Sequence, residues 1–310
     1  MSHAHATQAS STAASHGSLM QKTAWVAVAV ASFLIVIKLV AYLMTDSIAM
    51  LASLADSALD VFASSVNLLA IRHALTPADS EHRFGHGKAE PMAGLMQGAF
   101  IAGSVAFLSI ESASRLIAPH PIEHGMVAIG VMGVSIAVTI ALVVLQQITV
   151  RKTGSIAISA DRMHYVGDLL TNLAVVAGVV LSTEFGFWIA DPILGLVVAA
   201  ILAFSAWHVF HQSYNQLMDR ELPDDERERI KAIVMRHGEV RDMHDLRTRA
   251  AGIATFIQLH IELDPAMSLT HAHDVSDAVE AEILAAYPMA EVIIHQDPAG
   301  VETLPPLAQS

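Results

Sequence analysis

Six long apolar segments, followed by a stretch of mixed helix and strand signals, predict a membrane all-α bundle of six transmembrane helices. A small C-terminal α+β domain of order αββαβ completes the fold. Three observations carry that prediction. The chain is 54% hydrophobic and only 15% charged, whereas an ordinary soluble domain carries about 25% charged residues. Its long apolar runs lie almost wholly before Asp219, and the remainder reads as soluble protein. Within the apolar runs sit four ionisable residues in two pairs of matched spacing.

The elements follow in order. Residues 1–20 are rich in Ser, Ala and His and read as a disordered arm. His3, His5 and His16 there offer loose metal capture, with a solvated tail the simpler reading. The first apolar run is too long for a cleavable signal. The transmembrane domain spans 21–216. A helix needs about 20 apolar residues to cross the hydrocarbon core, and six segments qualify. Thr23 to Met44 carries one charge, Lys38. Ser47 to Leu75 carries Asp56 and Asp60, and Pro91 to Ile117 has Glu111 and Arg115 near its end. Met126 to Val150 has no charge. Ile156 to Leu181 carries Asp161, Arg162, His164 and Asp168, and Phe187 to Phe210 is the last.

Six crossings put both ends on one side. Lys22, the 72–88 loop with Arg72, Arg83 and Lys88, the 151–162 segment with Arg151, Lys152 and Arg162, and Arg220 share one face. The other face offers only Arg115. Basic loops stay in the cytoplasm, so both termini are expected there.

A cytoplasmic domain is expected over 217–300, with 301–310 as a tail. Leu222-Pro223-Asp224-Asp225 is a helix start with acidic residues in the first turn, and that helix runs to about His237. Val240 to Arg249 and Ala254 to Leu263 alternate like strands, with Gly252 as the turn residue. Ser268 to Tyr287 reads as a helix and Glu291 to His295 as a short strand.

Charge and composition narrow the chemistry. The net charge is −13, and from Asp219 onward there are 18 acidic and 8 basic residues. An acidic domain suits cations and argues against nucleic acid, which needs a basic surface. There are no cysteines, so disulfides and thiolate metal sites are excluded. Any metal chemistry must use Asp, Glu and the 17 histidines.

Asp56 and Asp60 are four residues apart, which puts both carboxylates on one helix face, one turn apart. His164 and Asp168 repeat that spacing in helix five. Ionisable groups inside a membrane are costly and face a cavity or a partner. Three carboxylates and one imidazole suit tetrahedral Zn²⁺ and tolerate Fe²⁺, Mn²⁺ or Cd²⁺. Each pair lies about 11 residues from one end of its helix, roughly 16–17 Å at 1.5 Å per residue. That is near the middle of a layer about 30 Å thick. The competing reading is a pair of structural hydrogen bonds in a bundle.

Two further clusters stand out. Asp79, His82 and His86 in the 72–88 loop follow D-x2-H-x3-H spacing, which fits either a metal site or a solvated polar loop. In the tail, His244 and His260 on adjacent strands could approach across a hairpin. His273 lies on the next helix, and His295 with Asp297 ends the last strand, suggesting one or two metal sites. His271 points elsewhere. His73, His120, His124, His208, His211 and His237 suit helix-end or aromatic-belt roles.

These motifs, with Phe84-Gly85-His86-Gly87-Lys88, Asp245-Leu246-Arg247-Thr248-Arg249 and Ile294-His295-Gln296-Asp297-Pro298, resemble the cation diffusion facilitators. The bacterial ferrous-iron and zinc efflux branch is the most similar, from about Trp25 to Pro298. The resemblance implies a homodimer in the bacterial inner membrane that exchanges metal for protons by alternating access. It implies transport ligands at Asp56, Asp60, His164 and Asp168, and a peripheral site at Asp79, His82 and His86. It also implies a binuclear tail site at His244, His260, His295 and Asp297, with His273 close by. Lys88 and Asp219 match an interdomain charge interlock at the dimer contact.

The expected function is therefore efflux of a divalent transition metal (Zn²⁺, Fe²⁺ or Cd²⁺) as substrate and regulator. Membrane lipid surrounds the bundle, protons are the counter-ion, and no organic cofactor or enzyme activity is expected. His164 must be neutral to ligate, so metal binding displaces its proton. The alternatives are a membrane-anchored metalloenzyme or a metal sensor. The first lacks a nucleophile motif, an H-E-x-x-H sequence and a spare general base.

Overall fold

The computed structural model describes residues 2–45, 48–117, 126–185, 187 and 189–300. Six long helices come first: α1 Ser2–Thr45, α2 Ile48–Ala74, α3 Ala89–Ile117, α4 Met126–Thr153, α5 Ile156–Phe185 and α6 Ala190–Leu217. Then follow α7 Asp224–Val234, β1 Asp242–Ala251, β2 Ala254–Leu263, α8 Leu269–Ala286 and β3 Ala290–Pro298. The order αββαβ after the bundle is the one expected. A helical unit, Ser18–Tyr214, separates from a second unit that holds the C-terminal sheet.

The helical unit is built inside out. Asp60, Ser64, Asn67, Gln97, Gln146, Asp161 and His164 are buried, while Leu43, Phe107 and Phe204 are more than 70% exposed. In water that arrangement would be ruinous. In hydrocarbon it is required, because polar side chains must find partners within the bundle and apolar ones face lipid. Among the described residues, five helices are long and apolar enough to cross a membrane. The exception is α5, as long as its neighbours at 30 residues. Its apolar run is broken by Asp161, Arg162, His164 and Asp168, and it packs against α2, α3 and α4.

Close approach is marked by glycine. A Cβ on Gly178 of α5 would lie 2.9 Å from the Cα of Asp191 on α6. Small residues let backbones come this near where water drives no association. At that end of the bundle Arg115 of α3 pairs with Glu111 and, 2.9 Å away, with Asp191.

Helix α1 begins at Ser2, so it takes in the residues read as the N-terminal arm. The stretch has no proline and is rich in alanine, the best helix former. The apolar span behind it supplies the nucleus, so extension costs little. His120 and His124 and the tail 301–310 lie outside the described residues.

In the second unit the sheet order is β1-β2-β3, with β1 antiparallel and β3 parallel to β2. A parallel neighbour needs a crossover, and α8 provides it, with Ser268 capping the His271 amide. Three acidic residues occupy the first turn of α7, where the helix dipole favours them. Ile257, Leu259, Ile261 and Leu263 alternate toward a core with Ile230, Val234, Val279 and Ile283 from α7 and α8. The other face of β2 is left for Gln258, His260 and Glu262.

Candidate metal centres

Within the described residues, three groups of His and carboxylate side chains bring ligand atoms within 4.8 Å of one another. The first is Asp60 of α2 with His164 and Asp168 of α5. His164 Nε2 lies 3.0 Å from Asp60 Oδ1 and 3.9 Å from Asp168 Oδ2. Asp60 and His164 are buried. Asp56 stands outside this trio and is exposed. Lys38 is held by Ser57 Oγ at 2.6 Å.

The neighbouring side of α5 carries a polar hub that sequence reasoning did not single out. Asp161 is wholly buried. It accepts hydrogen bonds from Gln146 Nε2 of α4 at 2.7 Å, Gln97 Nε2 of α3 at 3.0 Å and Ser64 Oγ of α2 at 3.5 Å. Tyr165 and Ser64 share a hydrogen bond of 2.8 Å. One carboxylate therefore ties four helices together beside the ligand trio. Its charge within an apolar run was the available signal. Glu90 was also missed; it is buried and accepts from Ser155 Oγ and the Ala157 amide.

The second group is Asp79, His82 and His86. Gly85, at φ +76°, turns the chain so that its amide bonds to the His82 carbonyl at 2.9 Å. That turn sets both rings against Asp79, with a 3.4 Å separation for each. Asp79 Oδ1 accepts the amides of His82 and Glu81. The His82 amide first, then that of Glu81, holds the Asp79 carboxyl below its usual range. His86 Nδ1 faces the Thr76 carbonyl at 3.3 Å. A carbonyl only accepts, so Nδ1 is the donor there, and Nε2 is the nitrogen turned toward Asp79.

The third group is His244, His260 and Asp297. Pairing aligns His244 with His260 and His260 with His295, a row across all three strands. Asp297 divides its carboxylate: Oδ2 lies 2.8 Å from His260 and 3.4 Å from His244, while Oδ1 lies 3.1 Å from His295. That split suits a carboxylate bridging two ions. A bulge after His244, with Asp245 at φ 47°, turns the Asp245 carboxylate to 3.8 Å from His260 Nε2. His273 is not brought into this group. It is exposed on α8, 3.5 Å from Asp277, because α8 covers the apolar face of the sheet. His271 pairs with Glu239 at 2.6 Å. His211 stacks on Trp207, as an interfacial belt residue does. Lys88 lies half-buried beside the start of α3, and Asp219, at φ 54°, pairs with Arg249 at 3.3 Å.

Comparison with known proteins gives the frame for this geometry. The family model described as the cation efflux transmembrane domain matches residues 24–218, and the cation efflux protein cytoplasmic domain matches 222–299. The chain is 46% identical over 275 residues to the cation-efflux pump FieF of Shewanella oneidensis, covering 89% of this chain and 93% of that one. It is 42% identical over 287 residues to FieF of Klebsiella pneumoniae, covering 93% and 95%. Among solved structures, the zinc form of the putative zinc transporter CzrB is 32% identical, covering 28% of this chain and 99% of that one, at a TM-score of 0.26.

Proposed function

The chain belongs to the cation efflux family, and we propose that it exports a divalent transition metal in exchange for protons. It is a multi-pass membrane protein with a metal-binding cytoplasmic domain. The observation that carries the proposal is the Asp60–His164–Asp168 cluster. It sits in a bundle whose other surfaces are apolar, and two of its three members are buried. Such a group is too costly to keep without a task.

In this reading Asp56 joins the trio as the fourth ligand when the ion arrives. Zinc suits the set best, and ferrous iron and cadmium are the other substrates considered. His164 Nε2 faces Asp60 Oδ1 at 3.0 Å, so without metal a proton sits between them. Ligation needs that nitrogen bare, and the entering ion displaces the proton. The three carboxylates then more than offset the ion's double charge. Opening alternately to each side, the site loads metal from the cytoplasm and protons from outside. An inward proton gradient drives export.

The loop trio Asp79, His82 and His86 is a second, peripheral site. His244, His260, His295 and Asp297 form a two-ion regulatory site, since a soluble domain is not the path across a bilayer. The working unit is a homodimer in the bacterial inner membrane, with both termini cytoplasmic and Lys88 and Asp219 interlocked at the dimer contact. Relatives named as pumps support a transporter over a metalloenzyme or a sensor. The test is zinc flux into proteoliposomes under a pH gradient. His164→Ala should reduce flux to background, and flux equal to the parent would overturn the assignment.

A further inference from the structure

The loop trio leaves one imidazole unexplained. His73 ends α2, in its last turn. Its ring packs on that of His86, with centroids 4.6 Å apart and planes at 61°. His82 packs on the same His86 ring, also at 4.6 Å. Three imidazoles therefore gather on one another, two of them against Asp79. In water, neutral imidazoles gain little from such crowding. Around a cation they gain a great deal.

Donor number gives the second argument. Asp79, His82 and His86 offer three ligand atoms within 4.8 Å. Zinc in a closed site takes four ligands in a tetrahedron. His73 is exposed, so its ring can turn about its side-chain bonds without disturbing the core. Its place at the C-terminal end of α2 favours a cation, since the last carbonyls of a helix carry partial negative charge. The hydrogen bond from Thr76 N to the His73 carbonyl at 3.0 Å ties the end of α2 to the turn that orients His86.

We propose that His73 is the fourth ligand of the loop site, closing it as a three-histidine, one-aspartate tetrahedron without a bound water. The proposal rests on the reading of Asp79, His82 and His86 as a metal site and adds to it. A third imidazole favours zinc, cobalt and nickel over manganese and magnesium, which prefer oxygen. A closed shell also marks the loop as a holding site, because exchange then requires a protein ligand to leave.

The test uses the full-length chain with the other two centres silenced by Asp60→Ala, His164→Ala and Asp297→Ala. Cobalt is titrated and its visible absorption recorded, then displaced by zinc. The parent loop should give the intense bands of tetrahedral cobalt. His73→Ala should weaken binding by about tenfold or more and shift the spectrum to the weak bands of higher coordination. His82→Ala should abolish binding. If His82→Ala abolishes binding while His73→Ala changes neither affinity nor spectrum, His73 only stacks on His86 and the inference is overturned. If His82→Ala leaves binding unchanged, the loop is not a metal site and the underlying reading fails with it.

Discussion

Gln146 of α4 donates a 2.7 Å hydrogen bond to Asp161 of α5, and neither side chain is reached by solvent. Gln97 meets the same carboxylate from α3. Removing Asp161 leaves two buried amides without their acceptor, at about 1–3 kcal/mol each in a soluble protein. Interhelical hydrogen bonds in membranes average nearer 0.6 kcal/mol, so the lower end applies. Asp161→Ala should lower the unfolding free energy in detergent by about 1–3 kcal/mol, and Asp161→Asn should recover part of it. A stability equal to the parent for Asp161→Ala would show that the hub does not hold the helices together.

Asp297 touches all three histidines of the row, His244, His260 and His295, through two different oxygens. In the two-ion site proposed above, Asp297 would be shared by both ions and His295 would serve one. Counted as zinc per protomer, with the loop and transport centres silenced, Asp297→Ala should remove both tail ions. His295→Ala should remove one. Loss of a single ion in both variants would mean that Asp297 does not bridge.

The Tyr287 hydroxyl donates to the Glu226 carboxylate. Burial first, then this hydrogen bond, pushes its pKa from 10.0 to about 12. A group whose pKa is raised by folding stabilises the fold fully below its unfolded value. That contribution disappears as pH climbs through the folded value. The tail domain should therefore lose stability between about pH 10 and 12, and Tyr287→Phe should flatten that part of the profile. Circular dichroism melts across the range would reveal a parent-like slope in the variant if another group is responsible.

Much of this was legible in the sequence, and the illegible part has a common cause. The spans follow from hydropathy and the tail strands from alternation, both local properties. The pairing of α2 with α5 followed from spacing and depth, because four-residue spacing fixes a helix face. What the sequence does not fix is how each helix is rotated against its neighbours. Asp161 was visible as a charge in an apolar run, yet nothing local says that Gln97 and Gln146 turn toward it. Asp56 shares a face with Asp60, but sharing a face does not equalise distance to α5. His273 was grouped with the tail histidines because it follows them closely in the chain. The crossover through α8 puts it on the other side of the sheet.

The bond between Ser64 and Tyr165 gives α2 a pivot. Ser64 lies one turn beyond Asp60 and two turns from Asp56, and it is fastened to α5 at 2.8 Å. The eight residues from Ser64 back to Asp56 form a lever arm of about 12 Å. Tilting that arm by about 10° sweeps the Asp56 carboxylate through roughly 2 Å, while Asp60 moves about half as far. A small rocking of one helix therefore moves the Asp56 carboxylate relative to α5 about twice as far as that of Asp60, without unfastening the pivot.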